Sequence, residues 1–334
     1  MYIKRQFSLM IIYFISWRLI LWSLFTGLLA MSLYLYLDWK WVAIPWLPVS
    51  LIGTAVAFYV GFKNNQSYDR SWEARKVWGG IVNLSRSFAA ATRAFITDSP
   101  TATPIAEQEK RTIIYRHIAW LYALRHAMWQ RTSWEHQETQ SRRQRRYFEK
   151  HFDFQVFEKV VVKYLSTEEQ EWIRTKQNAA AQLLDRQSQH IAGLYAQGLV
   201  DNFRHVELQR LITEIYGEQG RSERIKNTPL PRQYSTSSTI FILIFTFLLP
   251  FGMLSEFGEL GGSLIWLMIP FNMIVSWVFT LMEYVGDYSE NPFEGLINDI
   301  PLSTIVRNIE IDLLDMLGEK DLPEKIKPVG NVLF

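Results

Sequence analysis

Trp41-Val-Ala-Ile-Pro-Trp-Leu-Pro-Val-Ser-Leu-Ile-Gly-Thr-Ala-Val-Ala-Phe-Tyr-Val-Gly-Phe62 contains no charged side chain. As a helix it is long enough to cross a hydrocarbon core of about 30 Å. The next residues, Lys63-Asn-Asn-Gln-Ser-Tyr-Asp-Arg70, are polar throughout, so the apolar run ends abruptly at Phe62. Upstream, Leu19 to Leu37 is a second uncharged run, separated from the first only by Asp38-Trp-Lys40. Two such runs with so short a link predict a helical hairpin.

A second pair lies near the other end of the chain. Ser237 to Ser255 and Leu260 to Met282 are both uncharged and are joined by Glu256-Phe-Gly-Glu259. Pro45, Pro48, Pro250 and Pro270 would break soluble helices, but membrane spans tolerate proline because neighbouring helices satisfy the freed backbone groups. The fold class expected is therefore all-α, an integral membrane protein with four transmembrane helices in two hairpins. The spans fall at about 17–38, 42–63, 237–255 and 261–284. The chain divides into an N-terminal hairpin (1–63), a helical cytoplasmic domain (64–236), a C-terminal hairpin (237–286) and a cytoplasmic C-terminal segment (287–334).

Orientation follows from the basic residues. Lys4, Arg5, Lys63, Arg70, Arg75, Lys76, Arg224, Lys226 and Arg232 flank the spans on one side, whereas the hairpin tips hold only Lys40. The positive-inside rule then puts both termini and the middle segment in the cytoplasm. In that middle, Ser71 to Phe95 favours helix without a break, so the second span is expected to run straight on. Ser99-Pro-Thr-Ala-Thr-Pro104 reads as a loop. Helical patterns resume over Ile105 to Gln130, Gln144 to Tyr164, Glu168 to Gln197 and Phe203 to Tyr216, and no alternating strand pattern appears. The segment from Gly318 to Phe334 is expected to be loosely ordered.

Composition narrows the function. Aromatic residues make up 15% of the 334-residue chain, with 13 Trp and 21 Phe, which suits interfacial belts. A formal charge of +2 is too small to make nucleic acid the main partner. There is no cysteine, so thiolate metal sites, disulfides and cysteine nucleophiles are excluded. Histidines 117, 126, 136, 151, 190 and 205 include no pair at the i,i+4 spacing of a helix-borne metal site, so no metal or cofactor is expected. Arg142-Arg-Gln-Arg-Arg146 reads as a solvated helix face. With no phosphate-cradling glycine loop, nucleophile elbow or triad, an enzyme is not expected. No charged residue lies within the four uncharged stretches, which argues against an ion-coupled transporter. Asn272, the one strongly polar side chain deep in a span, reads as interhelical glue.

Thr54, Phe58 and Phe62 recur at intervals of four and fall on one helical face, with Gly53, Ala57 and Gly61 before each. Periodicity alone suits two uses. One is an ordinary packing face; the other is a set of stacked rings around a symmetry axis, a narrow apolar neck that gates by wetting and dewetting.

Beyond this stripe the residues become distinctive. Gly61-Phe-Lys-Asn-Asn-Gln-Ser-Tyr-Asp-Arg70 and Glu73-Ala-Arg-Lys-Val-Trp-Gly79 resemble the bestrophin family, closest to its bacterial branch. Glu223-Arg-Ile-Lys-Asn-Thr-Pro-Leu-Pro-Arg-Gln-Tyr234 resembles the family's lead into the third span. Glu290-Asn-Pro-Phe293, Asn298-Asp-Ile-Pro-Leu302 and Ile309-Glu-Ile-Asp-Leu313 resemble the stretch after the fourth. These motifs keep family order from about residue 45 to 317.

The resemblance implies a homopentamer around one central pore, with a large cytoplasmic vestibule, in a bacterial inner membrane. Thr54, Phe58 and Phe62 match the family's pore neck. A second, cytoplasmic constriction near the start of a helix is assigned to Leu183. Thr54 departs from the family's usual larger apolar residue, so a wider and more polar outer ring is expected. Glu294-Gly-Leu-Ile-Asn-Asp299 holds too few carboxylates for the Ca²⁺ site of animal bestrophins, so no Ca²⁺ activation is expected. Animal and plant members conduct anions, and the bacterial branch is associated with monovalent cations. Asp38, Glu256 and Glu259 around the external mouth would give a negative field, which favours Na⁺ and K⁺. Phenylalanine edges carry positive quadrupole charge and favour anions. A cation-preferring channel is thus expected, in contact with membrane lipid and its permeant monovalent ions. A chloride channel on the same scaffold and a non-conducting membrane scaffold are the alternatives.

Overall fold

The computed structural model describes residues 1–7, 9–97, 105–136, 141, 145–147 and 156–334, and of 9–15 and 156 the backbone alone. The helices are α1 (Leu9–Leu35), α2 (Trp46–Phe95), α3 (Ala106–Trp129), α4 (Val156–Tyr164), α5 (Thr167–Arg174), α6 (Ala179–Ala196), α7 (Asn202–Asn227), α8 (Arg232–Glu259), α9 (Met268–Asp287) and α10 (Leu302–Met316). Among the described residues no β-sheet forms, and only isolated bridges join Tyr2 with Val332 and Val329 with Val332. Four segments among them are long and apolar enough to cross a membrane: Ser16–Leu35, Lys40–Phe95, Arg232–Glu259 and Gly262–Asp287.

The chain separates into two compact units. One holds Lys4–Ser71 and Pro229–Glu290, which is α1, the first half of α2, α8 and α9. After α1 the chain turns at Asp38, whose φ is +52°, and a 3-10 turn over Lys40–Val42 leads to α2. Pro48 sits in the first turn of α2, where its missing N–H would have had no partner. The link between α8 and α9 is longer and later than expected, running from Leu260 to Leu267. α8 runs through Glu256 to Glu259, and the break comes at Gly261 and Gly262, whose φ values of +68° and +58° suit glycine. A 3-10 segment, Gly262–Leu267, precedes α9.

This unit's core joins Val49, Val56 and Val60 of α2 to Ile242, Phe245, Leu249 and Met253 of α8, with Ala30 and Met31 of α1. Two glycines set the α2–α8 approach. A Cβ on Gly53 would lie 2.7 Å from the Phe245 ring, and one on Gly252 would lie 2.9 Å from Val49 Cγ2. Asn272 of α9 is fully buried, and its amide donates to the Ser23 carbonyl of α1 at 2.7 Å. It joins two helices, as glue does.

The other unit comprises Met1–Ile3, Trp72–Thr228 and Asn291–Phe334. α3 is its central helix: Ile113, Ile114, Ile118, Trp120, Leu121 and Leu124 are all buried, and so are Arg116, His117 and Arg125, so it is enclosed on every side. The long pattern Glu168 to Gln197 divides into α5 and α6 because Asn178 caps a new helix, accepting from the Ala181 amide at 3.0 Å. α7 is capped by Asp201, which accepts from Arg204 N at 3.0 Å, and it runs well past Tyr216. The helix expected from Gln144 is seen as α4; much of its first part, and the loop Ser99 to Pro104, lie outside the described residues. Arg145 is not on a solvated face: it is buried, donating to the Glu294 carbonyl and lying 3.5 Å from Glu135.

The expectation of a loose C-terminal segment is corrected. α10 ends at Met316 and the chain turns at Gly318, φ +75°, before it returns to bury Val332 and Phe334 beside Tyr2, Ile297 and Ile326. Ile3 N donates to Asn331 O at 3.0 Å and Leu333 N to Met1 O at 2.9 Å. Thr304 Oγ1 donates to Phe334 O at 2.6 Å. These bonds and apolar contacts hold a segment whose polar composition alone gave no reason to order.

Candidate functional site

α2 carries two faces of opposite character in the first unit. Val49, Val56, Val60 and Lys63 are buried. Thr54, Phe58 and Phe62 are exposed, both phenylalanines to 68%. These aromatics lie outside this unit's own core, with Leu47 and Leu51 exposed beside them to 68% and 62%. The stripe borders an apolar groove of about 970 Å³, whose far wall is Phe245, Leu249 and Met253 of α8 with Val275 and Phe279 of α9. Gly61 opens onto the groove, where an added Cβ would meet nothing within 4 Å, whereas Gly53 is packed. Thr54 is less polar than its residue type implies, because its hydroxyl donates to Ser50 O one turn back at 2.9 Å.

Beneath the stripe lies a buried polar cluster that the sequence did not single out. The Lys63 side chain is 0% exposed, with its ammonium 2.5 Å from Glu283 Oε1 and 3.7 Å from Asp287 Oδ1 of α9. Glu283 also accepts from Ser238 Oγ at 2.5 Å and Thr239 Oγ1 at 3.2 Å, both on α8. One residue on, Asn64 Nδ2 donates to Met282 O at 2.9 Å. Gly286 makes room for it, since a Cβ there would sit 1.9 Å from Asn64 Oδ1. Only the position of Lys63 at the edge of an apolar run, with Glu283 at the edge of another, hinted at the pairing.

The hairpin-tip acids are exposed. Asp38 Oδ1 is paired with Lys40 Nζ at 2.9 Å, which offsets its charge, while Glu256 and Glu259 remain open on the last turn of α8.

Leu183 does not face open space and is withdrawn as an aperture residue. α6 begins at Ala179 as expected, but Leu183 is 1% exposed. Ala180, Leu184, Gln187, Ile191 and Leu194 are buried with it and form the inward stripe of α6. The exposed apolar residue at a helix start is Phe203, 86% exposed in the first turn of α7, followed by Val206 at 61%. Its signal was readable: Leu208, Leu211, Ile212 and Ile215 mark the inward face of α7, and counting back leaves 203 and 206 off it.

The other charged groups of the second unit are held in internal networks. Arg116 donates to Glu169 and Gln187, each at 2.7 Å, and to His190 Nδ1 at 2.8 Å, so the His190 Nε2–H points at Glu109 Oε2, 2.7 Å away. Burial, then the Arg116 charge, lowers the His190 pKa. Tyr122 and Tyr164 each donate to the Glu310 carboxylate at 2.6 Å. His117, fully buried against Ser85 Oγ at 2.9 Å, is pushed down to about 3 by desolvation. Glu294 receives His136 Nδ1 at 2.9 Å and Asn291 Nδ2 at 2.8 Å. Asp299, fully buried, accepts from Leu296 N at 3.0 Å, and desolvation followed by the Glu294 charge raises it to about 7. Among the described residues no group of three or more His, Asp or Glu side chains is placed to hold a metal ion.

Comparison with known proteins agrees with this architecture. The chain is 27% identical over 282 residues to the voltage-dependent anion channel-forming protein YneE of Escherichia coli (strain K12), covering 84% of this chain and 80% of that one. It is 29% identical over 293 residues to the voltage-dependent anion channel-forming protein RSc3414 of Ralstonia nicotianae, covering 85% and 84%. The crystal structure of a bacterial bestrophin homolog from Klebsiella pneumoniae has the same fold, with a TM-score of 0.73, 22% identity, and coverage of 91% of this chain and 98% of that one. The profile of the bacterial/fungal bestrophin proteins matches residues 3–315, so the chain is a membrane protein of the bestrophin family, a family of ion channels and not of enzymes.

Proposed function

We propose that five copies of this chain assemble around an axis to form an ion channel, with α2 of each lining the pore. One observation carries the reading: Thr54, Phe58 and Phe62 stand open on one side of a helix whose opposite side, with Val49, Val56, Val60 and Lys63, is buried. Four spans in one chain enclose no hydrophilic path, so a pore needs several subunits. Rings of Phe58 and Phe62 form the apolar neck, and the Thr54 ring, its hydroxyls turned onto Ser50 O, behaves as a nearly apolar outer step. The second constriction belongs to Phe203 rather than Leu183, because a residue lining a lumen must be open in the single chain. Both termini and the α3–α7 unit face the cytoplasm of a bacterial cell, in line with the basic residues flanking the spans. The channel opens without Ca²⁺, since Glu294 and Asp299 are committed to internal partners.

Anions are the permeant species we favour, in place of the Na⁺ and K⁺ expected from the sequence. The relatives of similar length are named as anion channel-forming proteins, phenylalanine edges face a lumen comfortably towards anions, and Lys40 offsets the Asp38 charge. Cation preference is kept as the second reading because Glu256 and Glu259 are exposed at the α8 tip. The test is a planar-bilayer recording of purified protein under a NaCl gradient, with the particle mass measured in detergent. A reversal potential near the Cl⁻ equilibrium value is expected, and one near the Na⁺ value would reverse the selectivity. A monomer or dimer, or an oligomer that stays silent even with Phe58→Ala, would leave a scaffold instead of a channel.

A further inference from the structure

The apolar contacts of α2 do not by themselves set its rotation. Val49, Val56 and Val60 pack on α1, α8 and α9 through dispersion alone, and lipid tails offer much the same contact to any face that turns outward. Directional bonds behave differently, because a polar group turned into hydrocarbon loses its partner and regains nothing. On the buried side of α2, close to the Phe62 level, the directional bonds converge on Lys63. Its ammonium meets Glu283 and Asp287 of α9, and the Glu283 carboxylate is gripped in turn by Ser238 and Thr239 of α8. The Asn64 amide adds a bond to Met282 O, and Ser71 Oγ adds one to Ser289 O at 2.7 Å. These three α2 residues point to the same side as the buried valines, away from the stripe.

We propose that the Lys63–Glu283 pair is the positioning device of the pore helix, fixing the rotation that presents Thr54, Phe58 and Phe62 along one line. Lys63 follows Phe62 directly, so about 100° of helical turn separates the residue that is clamped from the residue that is displayed. A buried ion pair adds little net stability and much geometric specificity, as a single polar position does in fixing helix register elsewhere. The inference rests on the reading that the stripe lines a pore, but its test does not depend on current.

The chain has no cysteine, so a single cysteine at 54, 56 or 58 reports which face meets water. Its rate of reaction with a charged thiol reagent is read by mass spectrometry in reconstituted protein. With Lys63 intact, T54C and F58C should react at least tenfold faster than V56C, which replaces a side chain only 2% exposed. Lys63→Arg, which keeps the pair, should preserve that ratio. The double variant Lys63→Met/Glu283→Gln removes both charges of the pair and takes Lys63 only from the partly exposed Asp287, yet should lose the ratio by an order of magnitude. A double variant that assembles and keeps the wild-type ratio would overturn the proposal, because the pair would then only be satisfying itself. Loss of the ratio in Lys63→Arg would overturn it as well. Should the neutral pair fail to assemble, the swapped pair Lys63→Glu/Glu283→Lys, made with Asp287→Asn so that the new carboxylate meets no like charge, decides: recovery of assembly and ratio supports positioning, and anything less refutes it. If T54C and F58C react fast but their modification leaves the current untouched, the pore reading fails while the positioning result still stands.

Discussion

Replacing Phe58 by alanine separates a gate from a packing face, and the structure gives the size of effect each would have. A Phe truncated from a full core costs about 3–5 kcal/mol. Phe58 is 68% exposed in its own chain, so only about a third of its surface is covered there. A phenylalanine offers roughly 200 Å², and a third of that at about 25 cal/mol per Å² is about 1–2 kcal/mol. In lipid this is an upper bound, since the alternative environment is already apolar. Phe58→Ala should therefore keep the fold and the assembly, at a cost of about 1–2 kcal/mol or less. Under the proposed pentamer, the pore should meanwhile lose a ring of five aromatic side chains and conduct more readily, as a dewetting barrier requires. The assay pairs thermal unfolding and particle mass in detergent with ion flux from liposomes. A loss of 3–5 kcal/mol together with dissociation would show that the ring is interface packing. An intact oligomer with unchanged flux would equally refute the neck.

Two further outcomes follow from particular side chains. Asp299 titrates near 7 when folded and near 3.8 when unfolded, so the stability it contributes is present below about pH 4 and fades as pH rises through about 7. The full swing is on the order of 4 kcal/mol. Asp299→Asn, which keeps an acceptor for Leu296 N, should melt higher than wild type at pH 8 and much like it at pH 4; an unchanged pH dependence would show that the carboxyl is already ionised. In α2, Gly53→Ala forces a Cβ against the Phe245 ring and should cost about 1–3 kcal/mol. Gly61→Ala meets nothing within 4 Å, so in the isolated subunit it should be neutral or gain up to about 1 kcal/mol from helix propensity, and equal melting temperatures for the two would contradict this packing.

Local signals carried a good part of this protein. The long second helix, the start of α6 and the stripe of α2 could be counted off the chain, since each depends on residues within a turn or two. Leu183 shows where such counting stops. The helix start was found, but which face of α6 turned inward was set by α3 and α7 lying against it. Here the evenly spaced buried positions, Ala180, Leu184, Gln187, Ile191 and Leu194, could have given the answer, as could the inward face of α7, Leu208, Leu211, Ile212 and Ile215, which leaves Phe203 off it.

Lys63 and Glu283 are a different case. Each stands at the edge of an apolar run and reads as an interfacial charge, and the two lie 220 positions apart in the chain. Only the meeting of α2 and α9, with Gly286 small enough to permit it, turns them into a buried pair. The tail is similar, since Val332 and Phe334 find burial beside Tyr2 from the opposite end of the sequence. Sequence by itself determined what depends on composition and short spacing: an all-helical chain, its four apolar segments, the aromatic stripe and the family motifs. Tertiary structure decided which faces were covered, because burial belongs to pairs of surfaces brought together from far apart, and no single stretch of chain encodes both.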